Sequence, residues 1–223
     1  MLKVESLAKS YRNKVIIDDI SFTINKGDIV GLVGENGAGK STLLSILATL
    51  KKPTKGNIFL EDKSFDHSKK AIRREIGYVP QDLALWEEFT VEENMIFFEQ
   101  LSWVNRNKDE LRQLCVDMKL EKWKEPVHSL SGGMKRKLNL AISLIHQPNL
   151  LLLDEPTVGI DLKSKTEIGN YLHTLAKKQQ KMIIYTSHDM EEIRQLCDYV
   201  IVIGKDTFYK EILLKSGKPV LSF

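Results

Sequence analysis

The chain has 223 residues, 42% hydrophobic and 28% charged, a balance that lets a globular unit bury its own core and excludes a chain too polar to collapse. Thirty-three basic residues against 30 acidic ones leave a formal charge of +3, too mild and too evenly scattered to point to nucleic acid. The longest apolar runs, 150–153 and 200–203, fall far short of the about 20 residues of a membrane-spanning helix, and six prolines, 13 glycines and no internal repeat remove support for collagen-like, disordered and solenoid classes.

Met1-Leu2-Lys3-Val4-Glu5 lacks the basic and apolar segments of a secretory leader. Cys115 and Cys197 stand in neither a ligand spacing nor a redox pair, so a cytoplasmic chain with reduced, structural thiols is expected. Residues 1–33 alternate short β-rich stretches with turn signals such as Lys26-Gly27-Asp28, and Ile29 to Val33 reads as a buried strand. A glycine-rich loop follows, after which Leu43, Leu44, Leu47 and Leu50 predict a helix over 41–50, ended by Pro53 and Gly56. Strands are predicted over 57–60 and 75–79, and helices over 91–101 and 109–120. A further helix runs from Ser131-Gly132-Gly133 to Ile145 and stops before Pro148; its Lys135-Arg136-Lys137 run reads as a solvated face. Strands over 150–153, 182–185 and 200–203, apolar throughout and separated by helical segments, predict an α/β fold with a parallel sheet. The tail 204–223 ends soon after the last predicted strand, so no regulatory domain of any size is expected there.

Gly34-Glu35-Asn36-Gly37-Ala38-Gly39-Lys40-Ser41 fits G-x-x-x-x-G-K-[ST] and lies directly between a predicted strand and a predicted helix. Glycines let the backbone curl so that successive N–H groups and the helix N-terminus face a phosphate, Lys40 reaches the β and γ phosphates, and the Ser41 hydroxyl ligates magnesium. Thr42 follows as a further phosphate contact. The apolar run Leu150 to Leu153 ends in Asp154-Glu155, where the first acid can hold magnesium through water and the second can point at a water attacking the γ phosphate. A kinase has no use for that base, so the pair predicts hydrolysis.

Between these motifs lies Leu130-Ser131-Gly132-Gly133-Met134, two glycines at a helix start that let backbone N–H groups approach an anion. With Tyr11, Gln81, Asp154-Glu155-Pro156, Gly159-Ile160-Asp161 and His188 in the same order, the chain resembles the ATP-binding cassette (ABC) ATPases over nearly its whole length. Met134 replaces the Gln of the family's LSGGQ signature, as in the subgroup that serves drug, sodium, polysaccharide and lipid exporters.

The resemblance implies one domain over 1–223: a P-loop NTPase core with a mostly parallel sheet and an antiparallel β-subdomain at about 1–80 and 148–223, and a helical subdomain at about 81–147. It implies that Tyr11 stacks on adenine, that Gln81 contacts magnesium and the attacking water, that His188 bonds the γ phosphate, and that Asp161 touches a partner subunit. Ser131, Gly132 and Gly133 would cap nucleotide held by a second ABC subunit, identical or homologous, in a head-to-tail pair around two ATP. A separate integral membrane permease is implied, which would hold the chain at the inner face of the cell membrane. Its coupling helix would dock at 83–94, where Trp86 and Phe89, with the nearby Phe97 and Phe98, read equally well as core. The stretch Lys122 to Ser129 lacks the TxxGxxG-like pattern of exporters with fused membrane domains. His67, His128, His146 and His173 fall in no motif. Asp154 comes only 114 positions after Lys40, too few for the coiled coils of chromosome-clamping relatives, so the rival class is an ABC ATPase of a non-transport membrane or regulatory complex.

Overall fold

The computed structural model describes residues 1–12, 14–204 and 208–222. Two long strands, β1 (Leu2–Tyr11) and β2 (Lys14–Ile24), pair antiparallel, and β1 also pairs with β4 (Lys55–Leu60), which carries the short β5 (Lys63–Ser64); the order is β2-β1-β4-β5. Burial alternates along β1, where Leu2 and Val4 turn inward and Lys3 outward, the pattern of a sheet with one covered face.

A second sheet is parallel throughout, in the order β10-β9-β3-β8-β7-β6. Its strands are β3 (Ile29–Val33), β6 (Ile76–Val79), β7 (Leu150–Asp154), β8 (Met182–Thr186), β9 (Tyr199–Val202) and β10 (Val220–Ser222). Alternate residues feed two cores: Ile29, Val33, Leu151, Leu153, Ile183 and Tyr185 join one, while Val30, Leu32, Leu150, Leu152, Met182 and Ile184 join the other. Burial on both faces is why these strands read as unbroken apolar runs.

Helix α1 (Lys40–Leu47) covers one face, and α5 (Gly132–Ser143) and α6 (Leu162–Gln179) belong with the other. Between β6 and α5 come α3 (Val91–Gln100) and α4 (Lys108–Asp117), each opened by a complete capping box, from Thr90 to Glu93 and from Asn107 to Glu110. The remaining helices are α2 (Lys69–Arg73), α7 (Met190–Leu196) and α8 (Phe208–Lys215).

The helix expected over 41–50 ends at Leu47, because Thr49 takes a left-handed φ of 61° and leaves Leu50 outside the helix and 62% exposed. The one expected over 109–120 ends at Asp117 for the same reason: Lys119 has φ 56°, and the Leu120 N–H turns back to the Cys115 carbonyl. The tail is part of the fold, since α8 returns the chain to lay β10 beside β9; its residues 205–207 and 223 lie outside those described.

Candidate functional site

Four parallel strands, β3, β8, β7 and β6, bring the predicted residues to one edge, because parallel neighbours end on the same side and release their loops together. The loop 34–39 leaves β3, Asp154 ends β7 with Glu155 next to it, Thr186 ends β8 two residues before His188, and Gln81 lies two residues beyond β6.

Gly34 (φ 154°) and Gly39 (φ 107°) need their missing side chains for two separate reasons. A Cβ on Gly34 would meet the Ile203 carbonyl oxygen at 2.2 Å, and Gly39 occupies a left-handed conformation as the N-cap of α1. The loop is further closed by the Ala38 N–H donating to the Glu35 carbonyl (3.1 Å). Lys40 folds back over it, its Nζ donating to the carbonyls of Gly34 (2.7 Å) and Glu35 (3.2 Å) while 8% of the residue remains exposed. Burial lowers the Lys40 ammonium below its ordinary range, and the opposing charges of Glu155, Asp154 and Glu35 keep the cation favoured. Ser41 is exposed and Thr42 half-buried in the first turn of α1, and no side chain caps that helix.

Asp154 is buried and accepts from the Thr186 hydroxyl at 2.8 Å; the same hydroxyl oxygen accepts from the Glu155 N–H at 2.9 Å. The register pairing Asp154 with Thr186 makes both contacts possible. Glu155 has a left-handed φ of 48°, unusual for a side-chain-bearing residue. Its carboxylate is held from two sides, by Gln81 Nε2 at 3.4 Å and His188 Nε2 at 2.8 Å. Lys40, Gln81, Asp154, Glu155 and His188 therefore form one cluster.

The remaining expected residues lie apart from it. Among the described residues no hydrogen bond or ion pair joins Ser131, Gly132 or Gly133 to residues 34–42. Ser131 caps α5, accepting from the Met134 N–H at 3.3 Å. The two glycines differ in what they face. A Cβ on Gly133 would strike Ser164 Oγ at 2.2 Å, so that glycine seats α5 against the start of α6, whereas a Cβ on Gly132 would have only Ile160 Cγ2 near, at 3.8 Å. Gly132 is thus the one open to an incoming group. Asp161 caps α6, accepting from the Ser164 N–H (2.9 Å) and hydroxyl (2.7 Å), and those bonds hold its carboxyl below the usual range. Tyr11 closes β1, the residue 42% exposed, with the ammonium groups of Lys9 and Lys51 at 4.8 and 5.7 Å from its ring centroid. Trp86 and Phe89 are exposed and stacked on each other, while Phe98 packs against the core.

The basic run 135–137 is not the solvated face expected. Lys135 pairs with Glu87 at 2.7 Å, Lys137 is buried and paired with Glu167, and Arg136 Nη1 donates to the Gln81 carbonyl at 2.5 Å. Arg136 and Thr186 both touch the cluster, a role the sequence does not give either of them; their contacts depend on strand register and on helix placement, which no local pattern displays.

Among the described residues no helix is long and apolar enough to cross a membrane. A model of the ABC transporter family matches residues 17–158. The linearmycin resistance ATP-binding protein of Bacillus subtilis is 38% identical over 208 residues, covering 92% of this chain and 67% of that protein. The Nod factor export ATP-binding protein I of Sinorhizobium fredii is 40% identical over 205 residues, covering 91% of this chain and 60% of its own. For the bacitracin transport ATP-binding protein of Bacillus licheniformis the identity is 34% over 229 residues, covering 100% and 74%. The chain thus spans about 60 to 74% of these three relatives' lengths. Among solved structures, a dimeric post-hydrolysis ATP-binding cassette bound to ADP and Pi superimposes with a TM-score of 0.79 at 25% identity, covering 91% of this chain and 94% of that one. The ATP-binding subunit of an ABC transporter gives a TM-score of 0.81 at 24% identity, covering 97% and 93%, and shares the fold. A glycine-rich loop, a strand-end acid pair and a helix opened by two glycines on that fold, with a family match over residues 17–158, have one reading: the chain belongs to the ABC transporter family, as an ATP-binding subunit with the family's ATPase domain.

Proposed function

We propose that this subunit hydrolyses ATP in a head-to-tail pair, with itself or a homologous ABC subunit, and so drives export through a separate membrane permease at the inner face of the membrane. The observation that carries the chemistry is the grip on Glu155, whose carboxylate is bracketed by Gln81 and His188 and lies within the field of Lys40. Such a carboxylate can take a proton from a water it orients, and it does so beside a cation that offsets charge on the γ phosphate. His188 bonds that phosphate, Tyr11 stacks on the adenine, and residues 34–42 enclose the phosphate chain.

The oxygen donors suit Mg²⁺: Asp154 is a buried carboxylate whose one described side-chain partner is a neutral hydroxyl, and Ser41 and Gln81 add a hydroxyl and an amide. Bound there, the ion would offset phosphate charge and orient the leaving group. Ser131 and Gly132 turn outward at the α5 N-terminus and supply the surface for the partner's γ phosphate. A core over about 1–80 and 148–223 and a helical lobe over about 81–147 place these two surfaces on different parts of the chain. Export is favoured by relatives whose names specify Nod factor export, linearmycin resistance and bacitracin transport.

Glu155→Gln tests the reading. It keeps the bonds to Gln81 and His188 within reach but removes the base, so ATP binding persists while turnover falls about 10²-fold or more. Turnover at the wild-type rate would remove Glu155 from the mechanism.

A further inference from the structure

A cavity of about 550 Å³ lies away from the nucleotide cluster, between α2 and the segment that follows α3. Four cations line it, Lys69, Lys70, Arg73 and Arg74, opposite Leu101, Ser102 and Trp103. Leu101 and Trp103 are 67% and 44% exposed, and the Arg74 guanidinium sits 5.9 Å from the Trp103 ring centroid. No carboxylate lines the cavity, and among the described residues none of the four cations forms an ion pair. The nearby Glu75 is taken by Lys63 and Asn149, and the partner of Arg73 is the neutral Thr49 hydroxyl at 2.7 Å. Other cations such as Lys51, Lys52 and Lys178 also form no ion pair among the described residues, so what marks this hollow is that four unpaired cations share one lining without a carboxylate, a local concentration of uncompensated charge.

We propose that this cavity is a docking site for anionic phospholipid headgroups, with the four cations facing the phosphates and Leu101 and Trp103 entering the boundary between headgroup and acyl chain. The ligand needs a negative group and an apolar part side by side. A free phosphate would leave the Leu101 and Trp103 wall unused and the cavity largely unfilled. Unpaired Lys and Arg beside an exposed Trp and Leu form the combination that anchors proteins at an anionic bilayer surface, where each cation contributes additively and the aromatic ring occupies the interface. This inference rests on the reading of the chain as a subunit held at a membrane. It adds a direct contact between the subunit and the lipid beside its permease.

The test is flotation of the full chain with vesicles of phosphatidylcholine alone or with 30 mol% phosphatidylglycerol. Partitioning is expected to be more than about 25-fold stronger onto the anionic vesicles, and Lys70→Gln with Arg74→Gln is expected to weaken it about 25-fold, near fivefold per cation. Both side chains are exposed, so the variant keeps its fold, and its MgATP hydrolysis stays at the wild-type rate. Equal partitioning onto the two vesicle types, or an unchanged double variant, overturns the proposal. Displacement by inorganic phosphate but not by chloride at equal ionic strength assigns the cavity to a free anion and overturns it as well. If hydrolysis is present and the vesicle preference absent, the lipid site alone is wrong; if hydrolysis itself is absent, the reading as a membrane ATPase is wrong.

Discussion

Lys40 has two duties that a single substitution separates poorly but a pair resolves. Its ammonium ties the carbonyls of Gly34 and Glu35 together under the field of Asp154 and Glu155, and in the proposed function it also faces the nucleotide phosphates. Lys40→Ala removes the point charge and is expected to abolish nucleotide-dependent activity while the fold survives, which an ATPase assay and a melting curve check side by side. Lys40→Arg keeps the charge but brings a planar fork into a buried space built for a compact ammonium, so it is expected to recover little activity. Normal hydrolysis by Lys40→Ala would show that the phosphate site is elsewhere.

At the scale of elements, the elements themselves were legible where their burial is uniform. The runs 150–153 and 182–185 appeared at nearly their full lengths because a strand covered on both faces leaves no polar positions to confuse the pattern. The placement of the glycine loop 34–39 after β3 and of Asp154-Glu155 at the end of β7 was legible because each is one continuous stretch of sequence. The ends of α1 and α4 were not, since Thr49 and Lys119 take left-handed φ without being glycine, and α2 and β10 are too short or too exposed to carry a period. Register was the deeper loss: Thr186 reaches Asp154, and Arg136 reaches Gln81, only after strands are aligned and helices packed.

The Arg136 link has a measurable weight. It fastens the second turn of α5, whose start carries Ser131 and Gly132, to the backbone of the residue that grips Glu155. Arg136→Met keeps the aliphatic stem and loses the bond, and turnover is expected to fall about tenfold with ATP affinity unchanged, consistent with a charged hydrogen bond weakened by partial solvent access. Equal losses in affinity and turnover would instead mark a general disturbance of the cluster. A second element-level contact lies at Gly77 on β6, where a Cβ would stand 2.7 Å from Leu151 Cδ2 and 2.8 Å from the Ser143 carbonyl oxygen. Gly77→Ala must push α5 and β7 away from β6, and overpacking of this kind is expected to cost about 1–3 kcal/mol in chemical denaturation.

For the whole molecule, the proposed pairing rests on the separation of residues 131–133 from the glycine loop 34–39. No described bond joins the α5 start to the chain's own cluster, and in the proposed head-to-tail pair the two surfaces of different chains would meet the same nucleotide. The γ phosphate then supplies the charge that α5 sees, so Glu155→Gln protein is expected to sediment as a dimer with MgATP and as a monomer with MgADP. Gly132→Asp places a carboxylate at the open glycine, against that phosphate, and is expected to block pairing while each monomer still binds ATP. The most direct test of composite sites is to mix two chains that are inactive for different reasons, Lys40→Ala and Gly132→Asp. A mixed pair holds one site with an intact loop from the Gly132→Asp chain and an intact signature from the Lys40→Ala chain. The account predicts ATPase activity in the mixture well above the sum of the separate proteins; no recovery on mixing, or full activity of Gly132→Asp alone, would contradict it.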